Sequence, residues 1–395
     1  MWFAHLIYYF IYSSVGVLGP VLKSDMGLSN TEFGLLCGAI GVGTTAVQIP
    51  GGIWCDKFGV RAVMTTAFFL MAPSAFIFSL STGFVISCIV LFSLGLAVGC
   101  MQIAAVKAII DWFPFSGRAT AMGIKQTGVN AGGVAGSLAL PLILGIYGWH
   151  VIFRGMSVLA FLFALCSLVL YRNTVDRRGG DVLRSYQPVR LKEVILSLKE
   201  VHYVVVTVAG LFLIAVQFSF ASYVVLYLNR SLRLSLELSG VILALSFAVG
   251  AIGRVGWGIC SDYFFRDREV SLAIIGGIGA AVCVALGLIT PSTPTWAFYL
   301  LAVFAGLSLM GWMGIWPALV GELSQGKSTG LGIGVAFFFA NLGLLVGPPF
   351  FGFLTDLTHS FFPAWLFLAF CMGTVSLLML IGIRSSSRRS ADTQL

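Results

Sequence analysis

Twelve stretches of this chain are long and apolar enough to be membrane helices, and that one fact removes most folds from consideration. A hydrocarbon core about 30 Å thick needs about 20 residues of helix. Runs of that kind fall at 2–20, 32–54, 62–80, 84–108, 119–146, 150–171, 203–228, 237–260, 271–290, 296–320, 329–352 and 363–384. We number them spans 1 to 12. In lipid every backbone polar group must be satisfied within the chain, so such runs become helices. Composition agrees. The chain is 58% hydrophobic and only 10% charged, with a mean hydropathy of +0.99. A soluble domain of 395 residues has no interior large enough for that much apolar surface. The expected fold class is an all-α membrane protein of twelve transmembrane helices.

One long polar segment interrupts the series. Residues 172–202 carry Arg172, Arg177, Arg178, Arg184, Arg190, Lys192 and Lys199. This divides the chain into a six-helix bundle at 1–171, a linker at 172–202, a second bundle at 203–384 and a tail at 385–395. If the linker is cytoplasmic, 18 of the 23 Lys and Arg residues lie on that side. The positive-inside rule then places both termini in the cytoplasm and the protein in the cytoplasmic membrane. The net charge of +8 is therefore a topology signal and not a nucleic-acid footprint. The first run is read as a membrane helix and not as a cleaved leader.

The two halves echo each other. Span 5 holds Gly123, Asn130, Gly132 and Gly136, and span 11 holds Gly334, Asn341, Gly343 and Gly347, each pair offset by 211 residues. Asp111 and Glu322 share the offset. Gly52-x3-Asp56 after span 2 is matched by Gly258-x3-Asp262 after span 8, the latter preceded by Arg254. Repeated halves are a construction principle of two-bundle transporters.

Between spans 2 and 3 the chain reads Gly51-Gly52-Ile53-Trp54-Cys55-Asp56-Lys57-Phe58-Gly59-Val60-Arg61. Alone, this is a charged, glycine-rich turn. Its spacing, Gly-x3-Asp-x2-Gly-x-Arg on Gly52, Asp56, Gly59 and Arg61, resembles the loop 2–3 signature of the major facilitator superfamily of secondary transporters. With the repeats, the resemblance spans essentially the whole chain. It implies two six-helix bundles working by alternating access. It also implies a gating role for Gly52, Asp56, Gly59 and Arg61 and, in the second half, for Arg254, Gly258 and Asp262. Asp56 would meet the start of span 11 near Thr329, and Asp262 would act with Arg254. The second copy departs from the pattern in lacking the second glycine.

Within span 5, helical spacing sets Lys125, Gly128, Gly132 and Gly136 on one face, with Gln126, Asn130, Gly133 and Ser137 on the adjacent one. Small residues let helices approach closely. Lys125 lies seven residues inside Arg118, about 10 Å deep at about 1.5 Å per residue. A buried ammonium is costly and faces the bundle interior or water. Two readings stand: a counter-charge for an anionic substrate, or a lysine that snorkels to the surface or pairs with a loop acid. Other polar or aromatic candidates for a substrate site are Tyr9, Gln126, Asn130, Gln217, Trp312 and Asn341. Each has a plain alternative, since polar side chains routinely bridge membrane helices. Gly347-Pro348 in span 11 reads as a bend.

Several classes drop out. The eight cysteines form no Cys-x2-Cys pair, the four histidines are scattered, and no Gly-x4-Gly-Lys-Ser/Thr is present. Metal, disulfide and nucleotide sites are therefore not expected, and neither are a cofactor or an enzymatic role. No Asp or Glu lies mid-span. Coupling to a proton or sodium would then run through substrate charge or through His5. Asp111-Trp112-Phe113-Pro114, then Gly123-Ile-Lys125-Gln-Thr-Gly128, then Gly148-Trp149, are similar to carriers of small organic anions within the superfamily. The resulting expectation is secondary transport of a small carboxylate by a monomer in the lipid bilayer. Efflux of hydrophobic compounds and a non-transporting membrane sensor are the alternatives.

Overall fold

The computed structural model describes residues 1–112, 118–173, 200–265, 267–323 and 329–392. The described residues form helices and short connections without a strand. Nine helical stretches are long and apolar enough to cross a membrane, and the bent pair Trp2–Val17 and Gly19–Asp25 makes ten. A break at Gly148 divides the run Arg118–Leu170 into spans 5 and 6. The run Asn30–Ala46, continued from Gln48 to a break at Gly59, is span 2. With these two divisions the described helices are consistent with twelve spans.

The breaks have local causes. Pro20 and Pro50 each lack an N–H, and the ring crowds the carbonyl four residues back. Helix Trp2–Val17 accordingly ends at Leu18, just before Pro20, and the two pieces meet at 56°. Helix Asn30–Ala46 ends four residues before Pro50. Span 2 starts on a reciprocal cap: Ser29 Oγ accepts from the Glu32 backbone N–H, and Glu32 Oε2 accepts from the Ser29 N–H. Pro348 and Pro349 leave the helix Thr329–Thr358 uninterrupted. The last helix, Phe362–Asp392, continues past 384 into the residues read from sequence as a tail. No proline or glycine follows Gly382 to stop it.

The chain separates into two compact units, one of Met1–Gln187 with Ala221–Ala244, the other of Pro188–Phe220 with Leu245–Leu395. Residues 221–244 belong to the first because they bond to it directly. Tyr223 Oη donates to Asn30 O at 2.6 Å, and Arg230 Nη2 donates to Pro20 O at 2.8 Å. A methyl on Gly16 would meet Ala221 O at 2.8 Å, and one on Gly240 would overlap Ser137 O.

Inside each unit helices pair through backbone-to-backbone seams, as expected where small residues replace a hydrophobic drive. Spans 2 and 4 meet at Gly43 and Gly95, and spans 8 and 10 meet at Gly250 and Gly306. Gly95 and Gly306 keep the 211 offset, an echo that sequence reading passed over. Span 10 is irregular past this seam. It has a π turn at Gly306–Met310 and a 3-10 turn at Gly311–Gly314. Trp257 Nε1 donates to Leu307 O at 2.9 Å, and Arg254 Nε donates to Met310 O at 3.2 Å, so span 8 side chains bond carbonyls there.

Candidate functional site

Span 5 is laid against span 1 by the glycine face that the sequence showed. The site of a methyl on Gly128 lies 2.7 Å from Trp2 O and 3.1 Å from His5 Cβ. On Gly132 it falls on Leu6 O, and on Gly136 it lies 2.9 Å from Ser13 Oγ. The same arrangement recurs in the second unit. A methyl on Gly343 falls on Leu211 O, and one on Gly347 lies 2.7 Å from Ala215 O and 2.9 Å from Ser219 Oγ. The repeated pairs Gly132/Gly343 and Gly136/Gly347 thus form the seams of span 1 with span 5 and of span 7 with span 11, whereas Gly334 borders open space.

Lys125 shares the seam face, one turn before Gly128. Its side chain is buried, at 8% exposure. No carboxylate pairs with it among the described residues, whereas Lys107, for example, reaches Asp111 at 3.7 Å. It bears electrostatically on His5, which is 1% exposed and whose Nδ1 has no hydrogen-bond partner. Asn130 is 3% exposed with both amide atoms unpartnered, and Ser137 Oγ is likewise orphaned. Unsatisfied buried polar groups in a native fold call for an explanation, and an absent ligand is one. Gln126 is half-buried on the adjoining face. Tyr9 is buried in a row of rings, stacked on Tyr12 at 5.4 Å and edge-on to Tyr8 at 6.2 Å.

In the second unit Gln217 is buried with Oε1 unpartnered, and Asn341 is half-buried. Trp312 is fully buried and donates its indole N–H to Leu309 O at 3.2 Å within its own span. Its edge meets Trp316, whose Nε1 donates to Val206 O at 2.7 Å and whose ring fills the space beside Gly210.

The family model of the Major Facilitator Superfamily matches residues 1–324. The chain belongs to that superfamily. It is a secondary transporter and not an enzyme. Among curated relatives, the hexuronate transporter of Bacillus subtilis (strain 168) is 23% identical over 410 aligned residues, covering 100% of this chain and 96% of that protein. The probable L-galactonate transporter of Escherichia coli (strain K12) is 24% identical over 91% of this chain and 83% of its own. Among solved structures, the D-xylose-proton symporter superposes with a TM-score of 0.76, at 17% identity and 95% coverage of both chains. A bacterial homolog of the human lysosomal transporter Spinster, inward-facing and occupied, gives 0.74 at 17% identity, covering 96% of this chain and 93% of its own. These structural likenesses speak to the fold.

The superfamily's loop 2–3 signature forms a one-residue turn here. Gly59 has φ 80° and ψ 161°, a region open essentially to glycine. Arg61 then bonds back to span 6: its Nε donates to Leu168 O at 2.8 Å, Nη2 donates to the same oxygen, and its backbone N–H donates to Asn173 Oδ1 at 3.0 Å. Lys57 is exposed, and its ammonium lies 5.2 Å from the Phe58 ring centroid. Gly52 has open space at its Cβ. The side chain of Asp56 lies outside the described residues, as do 324–328 just before span 11.

In the second copy Gly258 also borders open space. Asp262 pairs with Arg268 at 3.3 Å, and Arg268 Nε donates to Glu322 at 2.6 Å. Arg254 Nε donates to the Met310 carbonyl, and the ion pair seen at Asp262 is with Arg268. Asp262 itself lies in the π turn Cys260–Phe265, which follows helix Leu236–Ile259.

One buried contact between an acid and a histidine escaped the sequence. Glu269, at the start of helix Arg268–Leu288, is 8% exposed and bonds His202 Nε2 at 2.7 Å, while its Oε2 is packed where a methyl on Gly382 would sit 2.5 Å away. A glutamate at a helix start reads as a dipole-favoured end charge, and nothing local links it to a histidine 67 residues earlier. His202→Leu is expected to lower the stability of the purified protein by about 2 kcal/mol, the worth of a hydrogen bond to a charged group. A thermal unfolding scan checks this, and an unchanged midpoint would refute it.

Proposed function

We propose that the chain carries a small organic anion, a carboxylate, across the cytoplasmic membrane. Lys125 supplies the counter-charge, and Asn130, with Gln126 and Tyr9 nearby, supplies polar contacts to the rest of the solute. The observation that carries this reading is a buried ammonium without a carboxylate among the described residues, beside an asparagine with both amide atoms unpartnered. A charge held inside a membrane protein marks a substrate or ion path by default. Relatives named for hexuronate and L-galactonate transport, both acids, support the same class.

Uptake is driven by a coupling ion, a proton or sodium. The two bundles at 1–171 and 203–384 work by alternating access, with both termini cytoplasmic. Gly52, Asp56, Gly59 and Arg61, with Gly258, Asp262, Arg268 and Arg254, govern gating. The protein acts as a monomer.

The test is thermal stabilisation of the purified chain by a panel of carboxylates, with Lys125→Ala alongside. A ligand at a hundred times its Kd adds about 2.7 kcal/mol. Stabilisation of the wild type by a carboxylate, lost in the variant, is the expected result. An undiminished shift in Lys125→Ala would remove Lys125 from the site.

A further inference from the structure

The pair His5 and Lys125 breaks the internal repeat. Lys125 corresponds by the 211 offset to Ala336, which is fully buried. The seams align Leu6 O under Gly132 with Leu211 O under Gly343, so His5 corresponds to Gly210. In the second unit the same two places thus hold a methyl group and a hydrogen, and the Trp316 ring lies against Gly210. A helix seam of this design has no packing need for a histidine and a lysine. Their presence in one half, both buried and His5 with Nδ1 unpartnered, requires another account.

We propose that His5 carries the coupling proton, taking it at Nδ1 when the substrate carboxylate binds Lys125. This rests on Lys125 as the anion site.

Lys125 bears electrostatically on His5, and two cations so placed out of water have no compensation, so the empty pair holds a single charge, on Lys125. The groups that bear on His5 are Lys125 from span 5, Tyr8 with its ring centroid 5.1 Å away on span 1, and the amino group and backbone of Met1. No acid is among them in the described residues, so an arriving carboxylate supplies the anion there. It lies between two nitrogens and makes a second positive charge affordable. A proton from the outer water then forms the N–H bond at the free Nδ1. When the carboxylate departs to the cytoplasm the like charges face each other again, and that N–H bond breaks to water on that side.

The charges balance. The empty site has one positive charge; with one monocarboxylate and one proton it again has one. Transport of a monocarboxylate is therefore electroneutral and driven by the pH gradient alone. At one proton per anion, each pH unit supports about tenfold accumulation.

The full chain in proteoliposomes, with radiolabelled L-galactonate and a hexuronate as probes, provides the test. Wild type is expected to exchange the probe across the membrane and to accumulate it about tenfold per unit of inward pH gradient. A potassium-diffusion potential imposed without a pH gradient should give no accumulation. His5→Gln is expected to keep exchange and lose pH-driven accumulation. Lys125→Ala is expected to lose both. Accumulation by His5→Gln equal to wild type would overturn the proposal, as would accumulation driven by potential alone in the wild type. The second readout needs no variant to fold. Absence of exchange in wild type with both acids, by contrast, would overturn the anion reading itself.

Discussion

Gly132→Val and Gly343→Val are expected to reduce the folded, detergent-extractable protein to a small fraction of wild type. At both positions the new side chain meets backbone and not a movable side chain: Leu6 O with Phe10 N at 3.0 Å for Gly132, and Leu211 O with Ala215 N at 2.8 Å for Gly343. A clash with a neighbouring helix backbone is relieved only by moving that helix, and every contact along the seam opens with it. Overpacking costs about 1–3 kcal/mol even where side chains can yield. Here it falls at the upper end or beyond, against a total stability on the order of 10 kcal/mol. Gly155→Val is the control, because nothing lies within 4 Å of its Cβ. Size-exclusion profiles of the three variants decide the matter. A Gly132→Val profile matching Gly155→Val would mean that the seam is softer than its geometry.

The second large effect is at the one-residue turns. Gly59 and Gly148 adopt nearly the same backbone, φ 80° with ψ 161° and φ 74° with ψ 164°. An alanine in this region costs about 1–3 kcal/mol of strain. At Gly148 the Cβ has open space, so strain is the whole cost. At Gly59 it also lands 2.6 Å from Asn173 Nδ2, on the amide that accepts from the Arg61 N–H. Gly59→Ala is therefore expected to lower the unfolding midpoint more than Gly148→Ala. Pairing it with Asn173→Ala should recover the excess while leaving the strain, a coupling that a double-mutant cycle reads directly. Equal losses at the two glycines would show that Asn173 simply moves aside.

Much of this fold was legible because membrane helices leave few options. Twelve apolar runs, one basic linker and a 211-residue echo were enough to lay out the spans, and the spacing of Gly52, Asp56, Gly59 and Arg61 resembles the superfamily whose model matches the chain. The glycine face of span 5 was readable because a helix repeats its faces at fixed spacing. Its partner was not, since nothing in a list of glycines says which backbone they admit. The kinks at Leu18 and Val47 had their signal in Pro20 and Pro50, which hydropathy alone ignores. The irregular turns of span 10 had none that we recognise. At the candidate site, Lys125 stood out as a charge within an apolar run. The burial that leaves Asn130 and His5 unpartnered is tertiary. So is the ion pair of Arg268 with Asp262, which joins a π turn to the helix that follows it.

The span 1 and span 5 seam has a mechanical corollary. Three successive glycines on one face, each admitting a backbone or side-chain atom of span 1, make a splint. The two helices cannot slide along each other without lifting out of register. His5 and Lys125 are mounted on opposite sides of that splint, His5 level with Gly128 and Lys125 one turn before it. The backbone register between the two positions is then a built-in constant of this bundle, and any change in the distance from imidazole to ammonium falls to the flexible stem of the lysine.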